Sequence, residues 1–267
     1  MVGRQAINRG DLSDFLCDEG VPCWSTNTPN ACEELVEVAG RLCYKSFANP
    51  RPGGNEAYIK HILEVGHGSV LEHAVFSLII TGVSRSFTHE LVRHRVGFSY
   101  SQLSQRFVDE SDCAFVMPPA IQEICRTAAE RGGVSWPLGG RVLLVRWMHS
   151  IRTAHQQYQA ICSHLESWFE ENRPNLDKTL RRKAAREAAR SVLPNCTETK
   201  IFVTGNARAF RHFIELRGSE HADAEIRNVA VAVLGVMQTE APAIFGDYDV
   251  AADEYDGFSI ATEHRKV

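Results

Sequence analysis

The sequence predicts an α+β fold, and two observations carry that expectation. Three short stretches have strand character, "AVFSLIITGV" (74–83), "CAFVM" (113–117) and "KIFVT" (200–204), and between them lie long stretches with helical spacing. No G-x-x-x-x-G-K-[ST] or G-x-G-x-x-G phosphate loop occurs in the 267 residues, so a bound nucleotide would have to be held by something other than a P-loop or a Rossmann turn.

Taken in order, residues 1–28 have weak periodicity and read as an irregular lead-in. A first helix is signalled by Asn30 as its cap and Glu33 three positions on, with an apolar stripe at Leu35, Val38, Ala39 and Cys43. "NPRPGGN" (49–55) then breaks the chain, and a shorter helix carries Ile59, Ile62 and Leu63 before stopping near Gly66. In 74–83, Phe76, Leu78 and Ile80 alternate with Ser77, Ile79 and Thr81, the pattern of a strand buried on both faces. Helical spacing returns over 84–95 through Phe87, Leu91 and Val92. This places Arg93, His94 and Arg95 at a helix C-terminal end, where cations complement the macrodipole.

"RGGVSWPLGG" (131–140) reads as a loop. The longest helix is expected over 141–172, where Leu144, Trp147, Met148, Ile151, His155, Tyr158, Cys162, Leu165 and Phe169 keep an i, i+3, i+4 rhythm. A basic helix follows over 177–192, ended by Pro194. Asn206–Met237 gives two helices divided near Gly218, and the acidic tail from Gly246 has no strong pattern. The chain is expected to form one domain over 1–267.

Composition narrows the function classes. With 44% hydrophobic residues the chain can build a core, and a net charge of −4 argues against a surface devoted to nucleic acid. Eight cysteines are scattered without a Cys-x-x-Cys pair, as expected of reduced thiols. The apolar runs "VFSLII" and "VLLV" are far too short to span a bilayer, so the expected location is cytoplasmic.

Against that acidic background, "RHRVGFSYSQLSQRF" (93–107) places Arg93, His94, Arg95 and Arg106 among hydroxyl and amide side chains, a donor set suited to phosphate. "HELVRH" looks superficially like a zinc helix. His89 and His94, however, are five apart and diverge by about 140° around a helix, whereas zinc ligation needs i and i+4. In "NARAFRHFIELRGSEH" the stripe Phe210, Phe213, Ile214 continues to Arg217, a cation that needs an anionic or accepting neighbour if buried, or else a pair with Glu215 or Glu220. Arg208 and His212 share another face. The run Arg181, Arg182, Lys183, Arg186, Arg190 reads as a solvated face or, as a rival, an RNA- or anion-binding surface.

The blocks "GHGSVLEH" (66–73), "THELVRHR" (88–95), "REAARSVLP" (186–194) and "NARAFRHFIELRGSEHADAEIR" (206–227) together resemble the flavin-dependent thymidylate synthases. The resemblance implies a central, mostly antiparallel sheet with long helices and a homotetramer with shared active sites. It also implies FAD as cofactor, with NADPH and methylenetetrahydrofolate as co-substrates in the methylation of dUMP at C5. The family's flavin contacts fall on Ser69, Arg93, His94, Arg95, Gln102, Asn206, Ala207, Arg208 and His212. Its nucleotide contacts fall on Glu90, Arg93, Gln102, Leu103, Ser104, Gln105, Arg106, Arg190 and Arg217, with Arg217 polarising the pyrimidine and His67 near the folate side. In such enzymes no cysteine adds to the ring. One departure stands out: eight residues separate Arg95 from Ser104, where the family pattern has seven. Either Gly97 absorbs the extra residue in a bulge, or the nucleotide pocket is reshaped to admit a ribose 2′-hydroxyl and UMP is methylated as well.

Overall fold

The structure is a computed structural model that describes residues 1–50, 52–130, 139–252 and 258–267. The loop expected over 131–140 falls mostly on residues 131–138, outside the described ones. The elements run β1 (Gly3–Arg4), α1 (Arg9–Asp18), α2 (Ala31–Tyr44), α3 (Gly54–Glu64), a 3-10 helix (Gly68–His73), β2 (Val75–Ser84), α4 (Arg85–Leu91) and β3 (Phe98–Gln102). They continue with α5 (Pro119–Glu130), α6 (Gly140–Asn172), α7 (Lys178–Ala189), a second 3-10 helix (Arg190–Val192), β4 (Glu198–Asn206), α8 (Ala207–Arg217), α9 (Ala224–Glu240), α10 (Pro242–Phe245), β5 (Asp249–Ala252) and β6 (Phe258–Ala261). The mixture of helices with an antiparallel sheet is the α+β class read from the sequence. The four-stranded sheet has the order β1-β2-β4-β3, with β1 antiparallel to β2 in the register Gly3↔Ser77.

The chain divides into two compact units. The first comprises Met1–Ile79, Leu91–Tyr100 and Phe202–Val267, and the second Ile80–Glu90 and Ser101–Ile201.

In the first unit, residues 1–28 are more ordered than their weak periodicity suggests. Asn8 caps α1 by accepting from Asp11 N, and Phe15 packs edge-on against Phe47. Asn30 caps α2 as expected, accepting from Cys32 N and Glu33 N. The buried face of α2 is not the expected stripe of Leu35, Val38, Ala39 and Cys43 but Cys32, Glu33, Glu34, Val36, Glu37, Gly40 and Arg41. Charged groups can occupy it because each is satisfied. Glu37 accepts from Arg41 at 2.8 Å, from Thr26 at 2.8 Å and from Asn55 at 2.7 Å, and the Arg41 guanidinium lies 4.7 Å from the Tyr58 ring. Apolar periodicity alone does not detect such a network.

The strand β2 also departs from expectation. Phe76 and Leu78 are buried, whereas Ile79 on the opposite face is 53% exposed, so the strand is not buried on both faces. Phe76 packs edge-on against Phe210 of α8 and Phe245 of α10, which ties the strand to both helices. The patternless tail contains an antiparallel hairpin, β5 with β6, and Ile260 N donates to Gly218 O.

In the second unit, α6 and α7 form as read, with Asp177 capping α7. The expected strand at 113–117 reduces to a single bridge, Phe115↔Thr197. Pro118 and Pro119 follow at once, lack N–H donors and lead into α5, which the sequence reading did not assign. No helix among the described residues is long and apolar enough to cross a membrane.

Candidate functional site

The chain leaves α4 at Leu91, earlier than the helix expected to reach residue 95, and the basic triplet lies in the turn that follows. The end is stabilised from β3: the Tyr100 hydroxyl sits 2.7 Å from His94 O and 3.1 Å from Leu91 O, so it donates to carbonyls that a helix terminus leaves open. Burial pushes the Tyr100 hydroxyl up to about 12, and it therefore remains a donor at neutral pH. Beyond His94, Phe98 N donates to Arg95 O across a four-residue turn with Gly97 at φ +75°, the left-handed value of a type II turn's third position. Val96 at the turn's second position is 91% exposed. The turn at Val96 and Gly97 thus faces solvent.

Two parts of α8 face that turn within the first unit. At its start, Asn206 Oδ1 accepts from Ala209 N as the helix cap, and Asn206 N donates to Gly97 O. At its end, Arg217 Nε donates to His94 Nε2 at 2.9 Å. His94 also packs edge-on against His212, with ring centroids 6.1 Å apart, and against Phe213 at 5.4 Å. Burial, then the positive charge of Arg217, then His212 lower the His94 pKa from 6.5 to about 4. A neutral imidazole with a lone pair at Nε2 is what the arginine requires. Glu215, one of the two acids considered as a partner for Arg217, accepts from the Tyr248 hydroxyl at 3.0 Å and from Lys266 N at 3.1 Å.

Asn206, Arg208, Ala209 and His212 line a cavity of about 390 Å³ together with Val96, Gly97, Glu72, Glu215, Lys266 and Val267. Arg208 Nη1 is held by Glu72 Oε1 at 2.7 Å. Ala207 is buried and its N–H donates to Ala74 O, while Ser69 is exposed on the first 3-10 helix and Arg93 and Arg95 are exposed on the turn. His67 stacks edge-on with Tyr44 at a separate cavity of about 410 Å³.

The second unit gathers the other expected residues. Gln102 Nε2 donates to Thr88 Oγ1 at 3.0 Å, Leu103 O accepts from Arg85 Nη2 at 2.8 Å, and Ser104 Oγ accepts from Arg106 N. Arg106 pairs with Glu187 at 2.7 Å, Gln105 is buried, and Glu90 is half-buried on α4. Arg190 is exposed in the second 3-10 helix, near enough to Arg85 to oppose its charge. Part of the basic run on α7 is committed internally: Arg186 pairs with Asp109 at 2.8 Å and Lys183 lies 4.7 Å from the Phe107 ring.

The family pattern of thymidylate synthase complementing proteins matches residues 26–243. The chain belongs to that family. Proteins named flavin-dependent thymidylate synthase are 49% identical to it over 251 residues in Mycobacteroides abscessus, covering 93% of this chain and 91% of the relative, and 46% identical in Mycobacterium avium over 258 residues, covering 94% and 92%. A third relative of that name, from Mycobacterium tuberculosis, is 46% identical over 252 residues, with 94% and 92% covered. The donor set of the cavity suits a flavin nucleotide. An amide, a guanidinium and an imidazole ring the cavity, and the wall between them is bare backbone at Gly97, where a Cβ would stand 2.8 Å from both Ala209 Cβ and Asn206 Nδ2. The Cys113 thiol is pushed up to about 12 by burial and by Glu110, so it stays protonated and is a poor nucleophile.

Sequence reasoning missed several of the groups around this cavity. Glu72 lay inside a recognised block and could have been found as the acid closest in sequence to Ser69. Lys266 and Val267 lay in a tail without periodicity, and Arg211, fully buried behind the site, was hidden by its neighbours Arg208 and His212.

Proposed function

We propose that this chain is a flavin-dependent thymidylate synthase that binds FAD, takes hydride from NADPH, and converts dUMP to dTMP with methylenetetrahydrofolate as one-carbon donor. The observation that carries the reading is the direct bond from Arg217 to a neutral His94, which joins the basic turn to the end of the apolar stripe of α8. When bound, the flavin supplies the reducing equivalents that complete the methyl group.

The protein's own residues have definable duties in this reading. Asn206, Arg208 and His212 hold the cofactor, with Ser69, Ala207, Arg93, Arg95 and Gln102 completing its contacts. The His94 ring fixes the Nε edge of Arg217, so the planar guanidinium enters the reaction already oriented. A cation held this way stabilises negative charge developing on the pyrimidine as C5 becomes nucleophilic, without reorganising at that moment. Because His94 stays neutral, it adds no competing positive charge beside the guanidinium. Glu90, Leu103, Ser104, Gln105, Arg106 and Arg190 are assigned to the nucleotide, and His67 to the folate side.

We further propose that 1–267 works as a single functional domain in a homotetramer with shared sites. The exposure of Val96 in the turn where the extra residue is expected supports dUMP as the substrate. Turnover of UMP, the alternative reading, is tested in the same assay by product formation at saturating UMP. Purified protein with FAD, NADPH and methylenetetrahydrofolate is expected to form dTMP. A colourless protein that neither acquires flavin nor methylates dUMP refutes the proposal, and salt-sensitive RNA binding by such a protein would favour the basic α7 as the functional element.

A further inference from the structure

The cavity described above has one wall that no recognised motif supplies. The segment Thr262–Val267 returns along α8 after the β5–β6 hairpin and ends against the rim formed by Gly68 and Arg208. Its course is fixed at several points. Thr262 Oγ1 donates to Asp247 Oδ2 at 2.5 Å, His264 O accepts from the fully buried Arg211 at 3.1 Å, and Lys266 N donates to Glu215 Oε2 at 3.1 Å. Arg211 is itself clamped by Asp247 at 2.6 and 2.8 Å, so the anchor beneath the segment is rigid.

At its end, Val267 is only 6% exposed. Its carbonyl carbon stands 2.5 Å from where a Cβ on Gly68 would be, so the block "GHGSVLEH" leaves room for this segment with a bare glycine. Lys266 adopts φ +62°, a left-handed backbone rare for a residue with a side chain, and it is held there by the bond to Glu215 on one side and the seated Val267 on the other. Lys266, exposed to solvent, lines the cavity with Asn206, Arg208 and His212, and no salt bridge of its ammonium is formed among the described residues. Arg208, by contrast, is already neutralised by Glu72.

We propose that Lys266 is a further cofactor-binding residue, a cation that the anchored strap Thr262–Val267 presents to the phosphates of FAD. The inference rests on the assignment of this cavity to the flavin. Both carboxylates of the lining are already engaged, Glu72 by Arg208 and Glu215 by the Tyr248 hydroxyl and Lys266 N, which leaves the Lys266 ammonium for a polyanion with an aromatic head.

The test is flavin binding by fluorescence quenching, with FAD and riboflavin compared on the full-length protein. Lys266→Ala is expected to weaken FAD about tenfold, the worth of one charge-assisted contact, and Lys266→Glu more, with Lys266→Arg restoring most of it. Riboflavin, which has no phosphate, should bind all three variants as it binds the parent, whereas a merely structural role would weaken both ligands alike. Arg265→Ala, which does not line the cavity, serves as the control. Ending the chain after His264 should weaken FAD at least as much as Lys266→Ala. If that truncation fails to fold, the point variants decide. FAD affinity within twofold of the parent in Lys266→Ala and Lys266→Glu, equal losses for riboflavin, or tighter FAD binding on truncation would each overturn the proposal. Failure of the parent itself to bind FAD would instead refute the flavin assignment of the cavity.

Discussion

Replacing Gly97 by alanine tests the turn that separates this chain from its family's spacing. Two costs are readable from the structure. The backbone at φ +75° is left-handed, which costs an L-residue about 1–2 kcal/mol. The added Cβ would also stand 2.8 Å from Ala209 Cβ and 2.8 Å from Asn206 Nδ2, inside contact distance on both sides. Ala209 is fixed by the first turn of α8, so the relief must come from Asn206, whose side chain caps that helix. Overpacking of this kind costs about 1–3 kcal/mol, and the two effects together give about 2–5 kcal/mol. Val96→Ala, one residue earlier and 91% exposed, is the internal control and should change stability by less than about 0.5 kcal/mol. Urea unfolding at fixed protein concentration measures both, and a flavin titration on the folded fraction should show weakened binding for Gly97→Ala only. A Gly97→Ala protein within about 0.5 kcal/mol of the parent would mean that the turn is not the constrained element described here.

Three other outcomes follow from the same geometry. His94 titrates near 4 in the folded protein against 6.5 ordinarily, so the unfolded chain binds its proton first and stability should fall as pH drops from about 6.5 to 4. At about 1.4 kcal/mol per pH unit the ceiling is about 3.4 kcal/mol, and partial solvent contact reduces it to ~1–2, an increment that His94→Gln should abolish in urea midpoints compared across that range. Asp247→Ala strips the buried Arg211 of its carboxylate and should cost about 3–5 kcal/mol in thermal or urea unfolding; a loss under about 1 would show that the backbone carbonyls of Ile244 and His264 suffice. Asn206→Asp should keep the α8 cap and most of the stability while Asn206→Ala loses about 1 kcal/mol, and both should weaken flavin; unfolding curves that do not separate the two would remove the capping role.

How legible all this was in the sequence depends on the kind of signal. Caps and turn breakers were readable because one residue carries each: Asn30 placed the start of α2, and Pro194 followed the end of the basic helix. The flavin and nucleotide positions rest on the resemblance alone, whereas the unaided pattern marked Arg217 as a cation that needs an acceptor if it is buried. That the acceptor would be a histidine with a depressed pKa was not readable, because the partner lies 123 positions away and the shift arises only from shared burial. The interior face of α2 was misread for the same reason. Glu33, Glu37 and Arg41 are buried by virtue of partners on other segments, which a one-dimensional hydropathy pattern cannot register. The strand read at 113–117 failed differently: its residues have β propensity, but two prolines immediately afterwards leave room for one bridge only.

The measurement that bears most directly on the central claim is dTMP formation by the parent and by Arg217→Lys, each loaded with FAD and supplied with NADPH, methylenetetrahydrofolate and dUMP, with the flavin spectrum recorded alongside. The account predicts a yellow parent that makes dTMP. It predicts a lysine variant that still binds FAD but whose kcat falls by two to three orders of magnitude, as expected for the loss of one preorganised electrostatic contact. A parent that holds flavin and makes no dTMP, or an Arg217→Lys protein with undiminished turnover, would contradict it.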